Sequence, residues 1–132
     1  ALAAARGVET DVVVPERTDS ILLDWAMRAH IAFMRAPGLR FHFSPGPFDH
    51  SKVVTVDGAW SMVGSANWDV RSFWLNFEFT VECYDETVTG QIDKVIEEKI
   101  AASRPFTPSE LRRLPTAVRL RNAAARLLMP YL

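Results

Sequence analysis

The chain has 132 residues, 48% of them hydrophobic and 23% charged, with 15 Lys and Arg against 16 Asp and Glu. Those proportions exclude a disordered segment and suit a soluble globular domain with a core of its own. The single cysteine, Cys83, excludes an intrachain disulfide framework and any multi-cysteine metal site.

Charge is unevenly spread. Residues 1–103 carry 9 basic against 15 acidic side chains, whereas residues 104–132 carry six Arg against Glu110 alone. An acidic body disfavours nucleic acid, whose binding needs clustered cations; the basic tail favours anionic surfaces. No apolar run is long enough to span a bilayer, and no signal-peptide pattern opens the chain. Residues Ala1 to Gly7 read as the tail of a helix stopped by glycine, so a piece of a longer polypeptide is expected.

Val8 to Val14 reads as a strand whose run Val12-Val13-Val14 suits a doubly covered sheet. Asp19 or Ser20 can cap a helix in which Leu22, Trp25, Ala26, Ala29 and Phe33 share a face, with Trp25 and Phe33 expected in the core. Pro37-Gly38 stops that helix, and Leu39 to Phe43 alternates as a short strand on which His42 has a structural or surface role. Strand, helix and strand imply a parallel crossover. The expected class is therefore α/β, a mixed, mostly central sheet flanked by helices.

The loop Ser44-Pro45-Gly46-Pro47 delivers the chain to a hairpin. Its strands alternate around the turn dipeptide Asp57-Gly58, and the return strand runs from Ala59 to Val63. His50 and Lys52 stand two apart, so on a strand both leave the same face. Gly64-Ser65 ends the hairpin with a small residue that allows close backbone approach. Trp68, Phe73 and Trp74 lie in the following loop, either at a site entrance or acyl-chain groove or packed in the core. Phe77, Phe79, Val81 and Cys83 alternate as a strand buried on one face, with Cys83 a buried, inert thiol. Asp85 or Thr87 opens the next helix, carrying Val88, Ile92, Val95, Ile96 and Ile100.

A short helix then starts at Pro108, and a last one at Pro115. In the last, Ala117, Leu120, Ala124, Leu127 and Tyr131 share one side, with Arg119, Asn122 and Arg126 elsewhere. Such a helix docks on its own domain or a partner half, or lies on an anionic membrane.

The residue types around the hairpin suit an oxyanion. Lys52, Ser65 and Asn67 are donors that can surround phosphate oxygens, His50 offers a nucleophilic or proton-transferring imidazole, and Glu78 can accept the other ring N–H. His30, His42 and His50 lack metal-ligand spacing, so no metal and no cofactor are expected. On spacing alone a hairpin with an ordinary surface lysine and a satisfied histidine remains open.

His50-x-Lys52-x4-Asp57-x6-Gly64-Ser65-x-Asn67 resembles the HKD signature of the phospholipase D superfamily at every defined position. The flank Asn67-Trp68-Asp69-x-Arg71-Ser72-x3-Asn76-x-Glu78 is similar to the second HKD motif of bacterial cardiolipin synthases. The resemblance implies a metal-independent phosphodiesterase or phosphatidyl transferase. His50 would be one of two active-site histidines, Lys52, Ser65 and Asn67 would grip phosphate, and Glu78 would orient His50. Asp57 and Gly64 would be structural. Arg71 would neutralise phosphate or pair with Asp69 or Glu78.

One complete motif implies half a site. Residues 1–103 are expected to form that half and residues 104–132 an Arg-rich helical tail. The second half would come from upstream in the polypeptide or from a homodimer mate, and a catalytically silent half-domain is the alternative for the isolated chain. The expected substrate is a phospholipid, phosphatidylglycerol first, at the cytoplasmic face of a bacterial inner membrane. Hydrolytic phospholipase D activity and a single-motif homodimeric nuclease are the alternatives.

Overall fold

The computed structural model describes residues 2–34, 36–67, 72, 74 and 76–129. They form two compact units, residues 1–48 with 102–132, and residues 49–101.

In the first unit a short helix α1 (Leu2–Ala5) ends where the Gly7 amide bonds the Ala4 carbonyl at a positive φ of 92°. Strand β1 (Thr10–Pro15) lies parallel to β2 (Leu39–Ser44), and helix α2 (Ile21–Phe33) makes the crossover between them. This is the mixed α/β arrangement expected: β6 (Arg104–Pro105) adds antiparallel to the other side of β2. The first strand begins two residues later than the apolar run suggests. Thr10 pairs with Leu39 and its amide donates to the Gly38 carbonyl at 2.8 Å, where the chain turns at φ 79°.

Ile31, Phe41 and Phe43 form the buried core, with Val12, Val14, Met27 and Phe106 packed against it. Phe43 sits between two cations: the Arg28 guanidinium at 5.1 Å and that of Arg104 at 5.0 Å. Arg28 is held by Asp24, and Arg104 by Glu16 and Glu110. Phe106 meets the ring edge-on at 5.9 Å.

Helix α4 (Pro108–Arg113) is capped by Glu110, which accepts from the Thr107 amide at 3.1 Å and its hydroxyl at 2.8 Å. Helix α5 (Thr116–Leu127) packs on α2. Here Trp25 and Phe33 depart from the expected core role. Phe33 is 71% exposed and Trp25 half-buried, and both serve as platforms, for Arg126 at 4.3 Å and Arg121 at 3.9 Å. In α5 Asn122 and Ala125 are buried and Val118 and Arg126 half-buried, so it docks by a mixed side, away from Leu120 and Leu127. Tyr131 lies outside the described residues.

In the second unit β3 (Lys52–Val56) and β4 (Trp60–Gly64) form the hairpin, turning at Asp57-Gly58 with φ of 51° and 67°. Both residues take positive φ, as a type I′ turn requires. Strand β5 (Thr80–Cys83) adds antiparallel to β4. Helix α3 (Glu86–Ala102) follows, its first turn capped by Asp85, whose carboxylate accepts the Val88 amide at 2.8 Å. Cys83 is half-buried and unpaired by disulfide. The apolar side expected to be buried is largely open: Phe77 and Phe79 are exposed, and Val63 and Val81 nearly half so.

On the first sheet Asp11 accepts from Arg40 at 2.7 and 2.8 Å and contacts the His42 ring at 2.7 Å. Arg40 first, then His42, hold the Asp11 carboxyl down at about 2, against the opposing effect of partial burial. A carboxylate depressed in the folded state stabilises above its ordinary pKa and loses that contribution as pH falls through the lower value. Urea unfolding of wild type and Asp11→Asn should therefore show a stability gap that narrows as pH falls from about 5 and closes only toward about pH 1. A gap indifferent to pH would contradict this origin.

Candidate active site

Three strands end together at one edge of the second sheet. The register aligns Lys52 with Gly64 and Gly64 with Thr80, so Lys52 and Thr80 flank a position that has no side chain. A Cβ on Gly64 would lie 2.6 Å from the Thr80 hydroxyl and 2.7 Å from the Phe79 carbonyl. Glycine is required here by the close approach of β5.

His50 lies just before β3, in a turn held by Asp49. The Asp49 carboxylate accepts the Ser51 amide at 2.8 Å and the Ser51 hydroxyl at 2.6 Å, and it pairs with Lys99 of α3. The Lys52 ammonium donates to the His50 carbonyl at 2.5 Å. The lysine side chain is thereby folded back along the segment that carries the imidazole.

Ser65 closes the ladder. Its amide donates to the Phe79 carbonyl at 2.9 Å, while its hydroxyl, rather than a backbone carbonyl, accepts the Phe79 amide at 3.0 Å. This substitution is why β5 starts at Thr80 and leaves Glu78 just outside it. The same hydroxyl donates to Glu78 Oε2 at 2.5 Å, and the Asn76 amide donates to Oε1 at 3.2 Å. Ser72, buried, accepts the Asn67 backbone N–H at 3.1 Å and also hydrogen-bonds Glu78. Ser65 chiefly, then Asn76, Ser72 and the Lys52 charge, lower the Glu78 carboxyl below the ordinary range against partial desolvation.

Ser65 and Glu78 are thus hydrogen-bonded, with the Asn67 backbone joined through Ser72 and Lys52 acting on Glu78 only through its charge. The Glu78 oxygens bind Ser65 and Asn76, two residues that the sequence reading did not tie to it; Ser72 is the third. The only signal for Ser72 and Asn76 was their place in the flank. Asp57 stands at the far hairpin turn, away from these groups along β3. Arg71, Trp68, Asp69 and Phe73 lie outside the described residues; Trp74 is exposed. Among the described residues no group of three or more His, Cys, Asp or Glu could hold a metal ion.

A family model described as cardiolipin synthase, PLD-like domain, matches residues 1–100. The chain belongs to this phospholipase D-like family. Cardiolipin synthase A of Erwinia tasmaniensis is 43% identical over 102 residues, 77% of this chain and 21% of that protein. The major cardiolipin synthase ClsA of Bacillus subtilis is 32% identical over 131 residues, 99% of this chain and 27% of that protein. This phospholipase D-like chain therefore spans about a quarter of the length of such relatives. A phospholipase D family member, Nuc, from Salmonella typhimurium shares the fold, with a TM-score of 0.67 and 22% identity over 80% of this chain and 68% of its own.

Removing the strongest donor should release Glu78. In Ser65→Ala, side-chain carbon NMR should show Glu78 titrating closer to an ordinary glutamate than in wild type; an unmoved titration would refute the clamp. Gly64→Ala should lower unfolding free energy in urea by about 1–3 kcal/mol, because its Cβ meets backbone of β5.

Proposed function

We propose that this chain supplies one half of a metal-independent phosphatidyl-transfer site of the cardiolipin synthase type. Two phosphatidylglycerols would give cardiolipin and glycerol. The observation that carries the reading is the set Lys52, Ser65 and Glu78 at the sheet edge beside His50. Membership in the family supports it, as do relatives named cardiolipin synthases.

In this reading one histidine of a pair attacks phosphorus. A P–N bond forms, the P–O bond to the departing glycerol breaks, and the second histidine gives that oxygen a proton. An acceptor hydroxyl then attacks, its proton returns to the second histidine, and the P–N bond breaks. His50 is one of the pair. Lys52, Ser65 and Asn67 offset charge on the phosphate oxygens, and Glu78 orients the imidazole of His50. Water in place of the acceptor alcohol gives hydrolysis from the same intermediate.

The second histidine comes from another HKD half, elsewhere in a longer polypeptide or from a second copy. The open apolar surface of Phe77, Phe79, Val63 and Val81 favours a covering half. The chain alone is then catalytically silent. The same reading takes residues 1–103 as the phospholipase D-like half and 104–132 as an Arg-rich helical tail packed on it; the family match ends at residue 100. It places the reaction at the cytoplasmic face of a bacterial inner membrane, although no described helix is long and apolar enough to cross one.

In a full-length enzyme containing this chain, His50→Asn should abolish conversion of phosphatidylglycerol to cardiolipin. Rates at the wild-type level in that variant would remove His50 from the chemistry.

A further inference from the structure

His50 stands where the backbone has no strand to hold it. Strand β3 begins at Lys52, so residues 49–51 lie outside the ladder that aligns Lys52 with Gly64. Asp49 supplies what the ladder does not, and it divides its two oxygens. Oδ1 accepts the Ser51 amide at 2.8 Å and the Ser51 hydroxyl at 2.6 Å, which sets the shape of the turn around His50. Oδ2 pairs with the ammonium of Lys99, in the last turn of α3 and 50 residues further along the chain. A turn closed on itself fixes its own shape but not its placement; the second oxygen carries it to another element. The pair also joins the two ends of the second unit, which enters at Asp49 and leaves at Ala101.

We propose that Lys99 is a positioning residue for His50: through Asp49 it holds the segment that carries the imidazole to the end of α3, and so sets the direction from which the imidazole meets phosphorus. The inference rests on the reading of His50 as one of the catalytic pair. Exposure separates this role from a structural one. Both side chains of the pair are 37% exposed, and ion pairs of that kind add little to stability. Attack on phosphorus is more demanding, since a displacement of about 1 Å can cost roughly a hundredfold in rate. A weak tether at this place therefore matters to the reaction before it matters to the fold. A cation in the last turn of a helix faces the negative end of its dipole, so α3 itself favours the ammonium there.

In a full-length enzyme containing this chain, Lys99→Met should lower kcat for phosphatidylglycerol at least about tenfold and leave KM within about twofold, because the phosphate donors are untouched. Lys99→Arg, which keeps a cation within reach of Asp49, should restore most of the rate, and the thermal midpoint should stay at the wild-type value in both variants. Adding Asp49→Asn to Lys99→Met should cost little more, since the tether is already cut. In the chain alone, with no turnover involved, Lys99→Met should shift the imidazole proton–carbon NMR signals of His50 while those of His30 and His42 hold still. Unmoved His50 signals, or a wild-type kcat in Lys99→Met beside an inactive His50→Asn, overturn the proposal and leave the reaction as read. An equal loss in Lys99→Arg overturns it too, as does a loss that follows a lowered thermal midpoint. Turnover that survives His50→Asn removes the reading of the reaction, and this inference with it.

Discussion

One carboxylate holds the site end of the second unit together. Glu78 receives the Ser65 hydroxyl and the Asn76 amide on separate oxygens and a further bond from Ser72. These donors come from the end of β4 and from the loop that follows it, so a single anion ties that loop back onto the sheet. An ionised carboxylate accepts such bonds more strongly than a neutral acceptor does, which is why its protonation is disfavoured there. The Lys52 charge acts in the same direction.

The first unit uses a different device. Arginines are laid over aromatic faces at four places: two on Phe43, one on Trp25 and one on Phe33. The planar guanidinium can stack on a ring while its edge still donates hydrogen bonds. Arg28 and Arg104 do both, linking Phe43 to carboxylates of α2, α4 and the segment after β1. A small core of three buried apolar residues is extended in this way by charged groups that remain partly hydrated.

What the sequence disclosed was what local rules determine. Asp57-Gly58 could form only a tight reversal, and the β1–α2–β2 order left a parallel crossover as the economical topology. The approach of Lys52 to Gly64 was legible because the motif spacing maps onto two antiparallel strands whose ends must coincide. Ser72 and Asn76 were not, since a loop gives no periodicity from which to infer contacts. The orientation of α5 escaped for a related reason. A helical wheel separates an apolar side from a polar one but does not name the neighbour, and α5 turns Asn122 and Ala125 inward while Arg121 and Arg126 stack on Trp25 and Phe33.

Ser65 has a single hydrogen, and Glu78 holds it. Its oxygen meanwhile accepts the Phe79 amide. A ligand oxygen arriving at this hydroxyl must therefore displace the glutamate or be content with the remaining donors of the neighbourhood. If it displaces the glutamate, ligand arrival and rearrangement of the Glu78 segment become one event, and occupancy at the strand end is felt two residues before β5 begins.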